Sequence, residues 1–318
     1  MNVILTGCAG FIGSHLAEML CLQGWNVYGI DNLSNGKLEN LKGLAEDGKF
    51  TFIESDVCNI QNIKFPTIDC IIHLAAIGSV PRSMRDPDIY MQNNVVGFHR
   101  VLEFARLNHV KTLFYASSSS VYGNQQKFYR YETDEPAPCS PYAASKLINE
   151  VMAQTYERAF WITCHGLRFF NVFGPRQRFD SDYAAVVPKF CKGILEKGEI
   201  QIFGDGKQVR TFTPVSFVAE AITHMVANPG DLKKPFYNVT SPDYAASVIE
   251  TATLIGRIIN APFKVDYLPL RDGDVKSSIG SGRELAESIG MLSPDHPMVE
   301  AMKETVDWYK AKLSINLS

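Results

Sequence analysis

The stretch from Asn2 to Gly24 constrains the fold more than any other. Asn2-Val3-Ile4-Leu5-Thr6 is a short apolar run. Gly7-Cys8-Ala9-Gly10-Phe11-Ile12-Gly13 is a glycine-spaced loop, and Ser14 to Gln23 follows in helical period before Gly24. Strand, glycine loop and helix in that order form a unit that cradles a dinucleotide. The glycines permit a tight turn and let the backbone approach a pyrophosphate. The helix start offers free N–H groups and the positive end of a dipole. The spacing is G-x-x-G-x-x-G, one residue longer at its start than G-x-G-x-x-G. Gly7, Gly10, Phe11, Ile12 and Gly13 are therefore expected at the cofactor. Cys8 reads as a small filler, since nothing basic beside it would activate a thiolate.

Trp25 to Ile30 reads as a second strand, and it ends at Asp31. A carboxylate there suits the ribose 2′-hydroxyl of NAD and repels the 2′-phosphate of NADP. No arginine follows directly, so NAD is the expected cofactor. Asn32, Ser34, Asn35 and Gly36 form a loop that would flank the adenosine. Phe50 to Ser55 reads as a third strand leading into Asp56 and Val57, and Asp56 suits both the adenine edge and a helix cap. Ile68 to Leu74 reads as a fourth, after which Ala75 and Ala76 leave room for a flat cofactor. His73 reads as structural. Asp86 to Asn108 reads as one long helix containing Asn94 and Gly97. Val110 to Ala116 reads as the fifth strand and delivers Ser117-Ser118-Ser119-Ser120. Strands alternating with helices predict an α/β chain with a doubly wound parallel sheet, which binds ligands beyond the carboxyl ends of its strands. The glycine loop, Asp31, Asp56, Ala75 and the serine cluster all fall at that end.

Ser140 caps a helix opened by Pro141 and running to about Ala159. Tyr142 and Lys146 stand at i, i+4 on one face of it. A free phenol titrates near pH ~10, and a nearby ammonium favours the phenolate. A tyrosine so tuned takes a proton from a substrate hydroxyl and returns it; a serine hydroxyl beside it bonds the same oxygen and relays the proton.

Composition removes other classes. Hydrophobic residues are 46% and charged residues 20% of 318, with a formal net charge of −3, so no nucleic-acid surface is expected. Seven cysteines without a C-x-x-C pair point to reduced thiols in a cytoplasm, and seven histidines show no metal-ligand spacing. No signal peptide and no membrane span are expected, and so no membrane partner.

The glycine loop at 7–13, the serines before Val121-Tyr122-Gly123, and Tyr142-x-x-x-Lys146 together resemble the extended short-chain dehydrogenase/reductase superfamily. Within it, the chain is similar to NAD-dependent nucleotide-sugar epimerases, closest to UDP-N-acetylglucosamine 4-epimerases. The resemblance covers nearly the whole chain. It implies a Rossmann-like NAD domain over 1–172, with segments returning near 210–240, and a smaller mixed C-terminal domain over 173–318 that holds the UDP-sugar. Tyr142 becomes the catalytic base, Lys146 its tuner and a ligand of the nicotinamide ribose, and Ser118 the hydroxyl partner, three residues before Val121; Ser119 is the next candidate. Asn94 and Leu74 join the expected cofactor contacts. A homodimer built on the helices from Asp86 and Pro141 is also implied.

Trp161 to Arg168 reads as a sixth strand running into Phe169-Phe170-Asn171-Val172-Phe173-Gly174-Pro175-Arg176, which resembles the epimerase crossover. There Asn171 would touch the diphosphate. Tyr183 to Pro188 opens a helix on which Val186 would wall the nucleotide. Ile200 to Phe203 is a short strand whose Phe203 would face the uracil. Arg210 and Arg271 stand where the family places phosphate-binding arginines, a clamp that suits the guanidinium fork. Two positions depart from the family: Thr211 replaces an Asp and Phe217 an acidic residue. Sugar dehydratases carry Asp-Glu before Val-Tyr-Gly, where this chain has Ser119 and Ser120. UDP-glucuronate decarboxylases commonly carry Glu there, so both reactions are disfavoured. By resemblance, the residue seven after the second arginine limits sugar size. That residue is Ser278, small enough for an N-acetylhexosamine. The segment Ala76 to Ser83, with Ser79 and Val80, looks like the substrate loop of the same epimerases. The expectation is 4-epimerisation of UDP-GlcNAc and UDP-GalNAc; alternatives are UDP-glucose or UDP-glucuronate, or a related oxidoreductase that releases NADH.

Overall fold

The computed structural model describes residues 1–44, 46–125, 127–180, 184–240, 242–270, 277–290 and 298–316. Strand and helix alternate from the start. β1 (Asn2–Thr6), α1 (Phe11–Leu22), β2 (Asn26–Asp31), β3 (Phe50–Glu54) and β4 (Cys70–His73) are followed by the single-turn α2 (Val80–Ser83) and α3 (Pro87–Tyr90). Next come α4 (Gly97–Leu107), β5 (Thr112–Ser118), β6 (Tyr129–Arg130), α5 (Pro141–Phe160) and β7 (Thr163–Phe169). The second half holds α6 (Val186–Lys197), β8 (Glu199–Phe203), β9 (Val209–Thr211), α7 (Val215–Ala227), β10 (Phe236–Val239) and β11 (Ala245–Ser247). The chain closes with α8 (Val248–Ile259), β12 (Lys264–Leu268), β13 (Ser277–Gly280), α9 (Arg283–Ile289) and α10 (Met298–Asn316).

Seven strands form one parallel sheet in the order β10-β7-β5-β4-β1-β2-β3, the doubly wound topology expected. Alternate residues of β1 face opposite layers. Val3 and Leu5 pack with Leu16, Leu20, Val218 and Ile222 of α1 and α7. Ile4 packs with Phe98, Val101 and Leu102 of α4, in a layer that also holds Ala153 of α5. Both faces of the sheet are thus covered, as an all-parallel sheet requires. Returning from the second half, α7 lies against α1 and β10 adds an edge strand beside β7. The other strands make a mixed four-stranded sheet, β11-β9-β13-β6, and a parallel pair, β12-β8. Phe190 and Ile194 of α6, Ile255 of α8 and Val306 and Tyr309 of α10 pack a third core around them.

Several bounds differ from the sequence reading. α1 starts at Phe11 rather than Ser14, because Gly10 supplies an extended N-cap. The expected helix from Asp86 to Asn108 is interrupted by a π-helical turn over Met91–Val96. Asn93 Nδ2 takes the Ile89 carbonyl within this widened turn at 2.9 Å. β5 runs two residues past Ala116, so Ser117 and Ser118 belong to the strand. β7 starts at Thr163 because Trp161 closes α5 in the left-handed region.

A buried ion pair joins sheet to helix. Both Glu150 of α5 and Arg168 of β7 have side chains only 1% exposed. Arg168 Nε and Nη2 each donate to a Glu150 oxygen at 2.8 Å, and Ser117 Oγ of β5 donates to the same carboxylate at 2.6 Å. Arg168 Nη1 donates to Tyr122 Oη, which donates to Asn238 Oδ1 on β10. Removing one partner strands the other charge in the interior. Glu150→Ala is therefore expected to lower unfolding free energy by about 3–5 kcal/mol in urea titrations. Arg283→Ala, which breaks the exposed pair with Glu287, should leave the urea midpoint unchanged.

Candidate active site

The order of the sheet reverses between β1 and β4, which opens a crevice at the carboxyl edge. Gly7 turns there with φ +72°, and a Cβ on it would lie 2.7 Å from Ala75 N. A Cβ on Gly13 would lie 2.0 Å from the Gly7 carbonyl oxygen, so Gly13 serves the packing of α1 onto the turn. Only a side-chain-free loop fits, and it leaves backbone facing a cleft. Gly7, Gly10, Asp31, Asn32, Ser34, Asn35 and Gly36 line that cleft together with Asp56, Val57, Leu74, Ala75 and Ala76. Phe11 and Ile12 open α1 beside it. This donor-rich cradle suits the pyrophosphate and adenosine of a dinucleotide.

Asp31 holds the cradle in place. Its Oδ2 accepts from Ala9 N at 3.0 Å and its Oδ1 from Leu33 N at 2.9 Å. Each carboxylate oxygen keeps a further lone pair for a ribose hydroxyl. Burial pushes the Asp31 pKa up, opposed by those backbone bonds. Asp56 is a cap, accepting from Cys58 N at 2.8 Å, and it also accepts from Asn32 Nδ2 at 2.8 Å. Burial acts against its charge, yet these bonds keep its pKa below the usual value. Cys8 is fully buried and His73 bonds Thr6 Oγ1, the structural parts expected of both.

Ser118 ends β5, and Tyr142 and Lys146 face it from α5. Ser140 caps this helix as expected, accepting from Ala143 N at 3.1 Å. Lys146 Nζ donates to the Ala116 carbonyl at 2.8 Å and lies 6.0 Å from the Tyr142 ring centre. Burial lowers the Lys146 pKa to about 8. The sequence reading expected the ammonium to lower the Tyr142 pKa, but burial of the phenol raises it instead, and hydrogen bonding from Ser118 draws it back down. One of the three N–H donors of the ammonium goes to β5, and burial is the larger effect on the phenol. Ser119 and Ser120 follow in a 3₁₀ turn, with Ser120 Oγ donating to Ser118 Oγ at 2.8 Å.

Asn94 is fully buried at the π turn and works on the protein itself. It accepts from Ile77 N, donates to Ile77 O, and donates to Ser145 Oγ of α5. Both amide hydrogens are thus committed within the protein. Tyr90 adds a second fastening: its hydroxyl donates to the Ser79 carbonyl at 2.8 Å and its ring meets Tyr142 edge-on at 6.1 Å. The loop with Ser79 and Val80 is so tied to the catalytic helix. Tyr90, Ser120, Ser145, Glu150 and Arg168 were missed in the sequence. Only Glu150 carried a signal, standing four residues after Lys146 on the same helix face.

In the second half, Asn171 has φ +34° and donates to the Thr211 carbonyl at 2.9 Å. This brings the crossover against β9, where Arg210 lies directly across from Ser278 of β13. Thr211 is fully buried, and its hydroxyl accepts from Gly280 N. Phe217 packs edge-on against Tyr244 in the core. Neither position needs a carboxylate here. Val186 opens α6 and Phe203 ends β8. Arg271 and Tyr183 lie outside the described residues.

The lowered Lys146 pKa has a stability consequence. Below about pH 8 the folded chain carries the buried charge and its full penalty; between pH 8 and the unfolded value near 10.5 the unfolded chain binds more protons, so stability rises with pH. Lys146→Met should therefore gain stability relative to the parent at pH 7. That advantage should shrink steadily to pH 10 in paired urea titrations.

Comparison with known proteins follows the same lines. Residues 3–240 match the NAD dependent epimerase/dehydratase family. A UDP-N-acetylglucosamine 4-epimerase from Methanobrevibacter ruminantium, solved with UDP-N-acetylmuramic acid, superposes with a TM-score of 0.90 at 34% identity, covering 98% of each chain. A UDP-glucose 4-epimerase from Thermotoga maritima, solved with UDP-glucose, gives 0.89 at 31% identity over 98% of this chain and 100% of that one. A UDP-glucuronate 4-epimerase from Thermodesulfobacterium geofontis is 32% identical over 98% of this chain and 97% of its own. The cradle, the Ser118–Tyr142–Lys146 grouping and these likenesses agree, and the chain belongs to the NAD dependent epimerase/dehydratase family.

Proposed function

We propose that the chain is a UDP-sugar 4-epimerase acting on UDP-GlcNAc and UDP-GalNAc. The observation that carries the reading is the convergence of Ser118, Tyr142 and Lys146 on the carboxyl edge of the sheet that forms the glycine cradle. Gly7, Gly10, Asp31, Asn35 and Gly36 hold NAD. Bound NAD supplies the hydride acceptor for sugar C4 and, when oxidised, a positive charge that favours the Tyr142 phenolate. Tyr142 takes the proton of the sugar 4-hydroxyl as the C4–H bond breaks and C4=O forms. When the 4-keto sugar has turned over in the site, Tyr142 gives the proton back to O4, and bound NAD would supply the hydride chemistry at the opposite face of C4. Lys146 keeps β5 and α5 in register and carries the charge beside the phenol.

Ser278 supports the acetamido sugar. It is small, half-buried, and opposite Arg210, so the diphosphate and the sugar's size limit meet at one place on β9 and β13. Arg210 and Asn171 take the diphosphate, with Val186 and Phe203 at the uridine. In this reading 1–172 and the returning segments near 210–240 hold NAD, and 173–318 mostly hold the UDP-sugar. α4 and α5 expose Leu107, Ile148, Val151 and Trp161, an apolar face that supports a homodimer. All seven cysteines are free, which suits a cytoplasmic setting.

The test is NMR of purified protein with UDP-GlcNAc and no added NAD. UDP-GalNAc should appear; turnover of UDP-glucose or UDP-glucuronate alone would reject the acetamido assignment. Tyr142→Phe should lose at least about 10²-fold in kcat with its fold intact by circular dichroism. Light scattering should give twice the 35.4 kDa chain mass.

A further inference from the structure

Ser118 Oγ has two acceptor positions and one proton. Ser120 fills both acceptor positions. Its backbone N–H donates to Ser118 Oγ at 3.2 Å as the 3₁₀ turn begins, and its own hydroxyl donates to the same oxygen at 2.8 Å. The one direction left to Ser118 is to give its proton away. Ser118 hydrogen-bonds Tyr142, a contact that acts to lower a phenol pKa which burial raises.

We propose that Ser120 is a positioning residue that makes Ser118 a donor-only group, so that the sugar's 4-hydroxyl proton passes directly to Tyr142 and not through Ser118. This rests on the reading of Tyr142 as the base. A relay through Ser118 requires its oxygen to accept from the sugar, and that capacity is already used. Ser118 instead donates first to the phenolate oxygen, then to sugar O4 once Tyr142 has become protonated and C4=O has formed. Proton and electrons balance without it: the O4 proton goes to Tyr142, and the C4–H pair goes to NAD as hydride.

The surroundings of Tyr142 let this bond matter. From α3 it meets the Tyr90 ring, and from its own helix Lys146, whose bond goes to Ala116. From α2, Arg82 faces Asp86 at 4.0 Å. From the end of β5, Ser118 hydrogen-bonds Tyr142. The Ser118 hydrogen bond then adds to the Lys146 ammonium and to the charge of oxidised NAD in favouring the phenolate.

The experiment compares holoenzyme of the parent, Ser120→Ala, Ser120→Thr and Ser118→Ala, following kcat and KM from pH 6 to 10 and titrating ¹³Cζ-labelled tyrosine by NMR. In Ser120→Ala the acid limb of kcat and the Tyr142 titration should both move up by about one pH unit, with kcat at pH 7 down roughly tenfold and KM little changed. Ser120→Thr should restore the parent profile. Ser118→Ala should approach parent activity as pH rises, because the phenolate then forms unaided. A relay predicts instead a loss of roughly 10²–10⁴-fold at every pH. A parent-like limb in Ser120→Ala, or that uniform loss in Ser118→Ala, overturns the proposal. If Ser120→Ala fails to fold, Ser120→Cys keeps the volume with a weak donor and should give an intermediate limb; a parent-like limb there overturns it equally. Normal turnover by Tyr142→Phe would instead reject the base assignment, whichever way Ser120 behaves.

Discussion

Glu150 sits two turns beyond Tyr142 on the same face of α5, and its carboxylate binds β5 through Ser117 and β7 through Arg168. A buried charge tolerates little displacement, because its partners must satisfy it completely. The catalytic helix is therefore held to the strand next to the one that ends in Ser118 as well as to that strand itself. Ser117 and Ser118 are the last two residues of β5, and both meet α5. One anchors the helix, and the next presents its hydroxyl to the phenol that the helix carries. The same carboxylate leads through Arg168 and Tyr122 to Asn238, so β10, contributed from the second half of the chain, shares the network.

The first half was legible because its chemistry is local. Strand, glycine loop and helix repeat the same instruction at three levels: apolar period, turn geometry and free N–H groups. Asp31 and Asp56 were found because each follows a strand at the edge where ligands bind. The helix cap at Asp56 was legible as well, whereas the work of Asp31 within the protein was not. Asp31 pins the glycine loop at Ala9, a contact across 22 residues. The π turn at Met91–Val96 was also invisible, since an apolar period cannot register one extra residue in a turn. That turn aims Asn94 at both Ile77 and Ser145. An asparagine in a helix carries no sign of which loop it will fasten.

The role of Lys146 shows the limit of reading chemistry from spacing alone. The i, i+4 relation placed it on the right face, but the partner of its ammonium is a carbonyl 30 residues away in sequence. Burial, which no local pattern reports, then sets the direction of both pKa shifts. Lys146 meanwhile bonds β5 from α5 through the Ala116 carbonyl.

Thr211 and Phe217 looked like defects against the family pattern, and the fold explains why they are not. A carboxylate at 211 would be wholly enclosed, where an unpaired charge is strongly disfavoured. The threonine hydroxyl takes the Gly280 N–H and so ties β13 to β9 with no charge to neutralise. Phe217 fills the space beside Tyr244 with an edge-on ring. Strand pairing and the Asn171 bond to Thr211 fix the backbone around Arg210. Thr211 and Phe217 thus suit the packing around them, and the threonine ties β9 to the strand that carries Ser278.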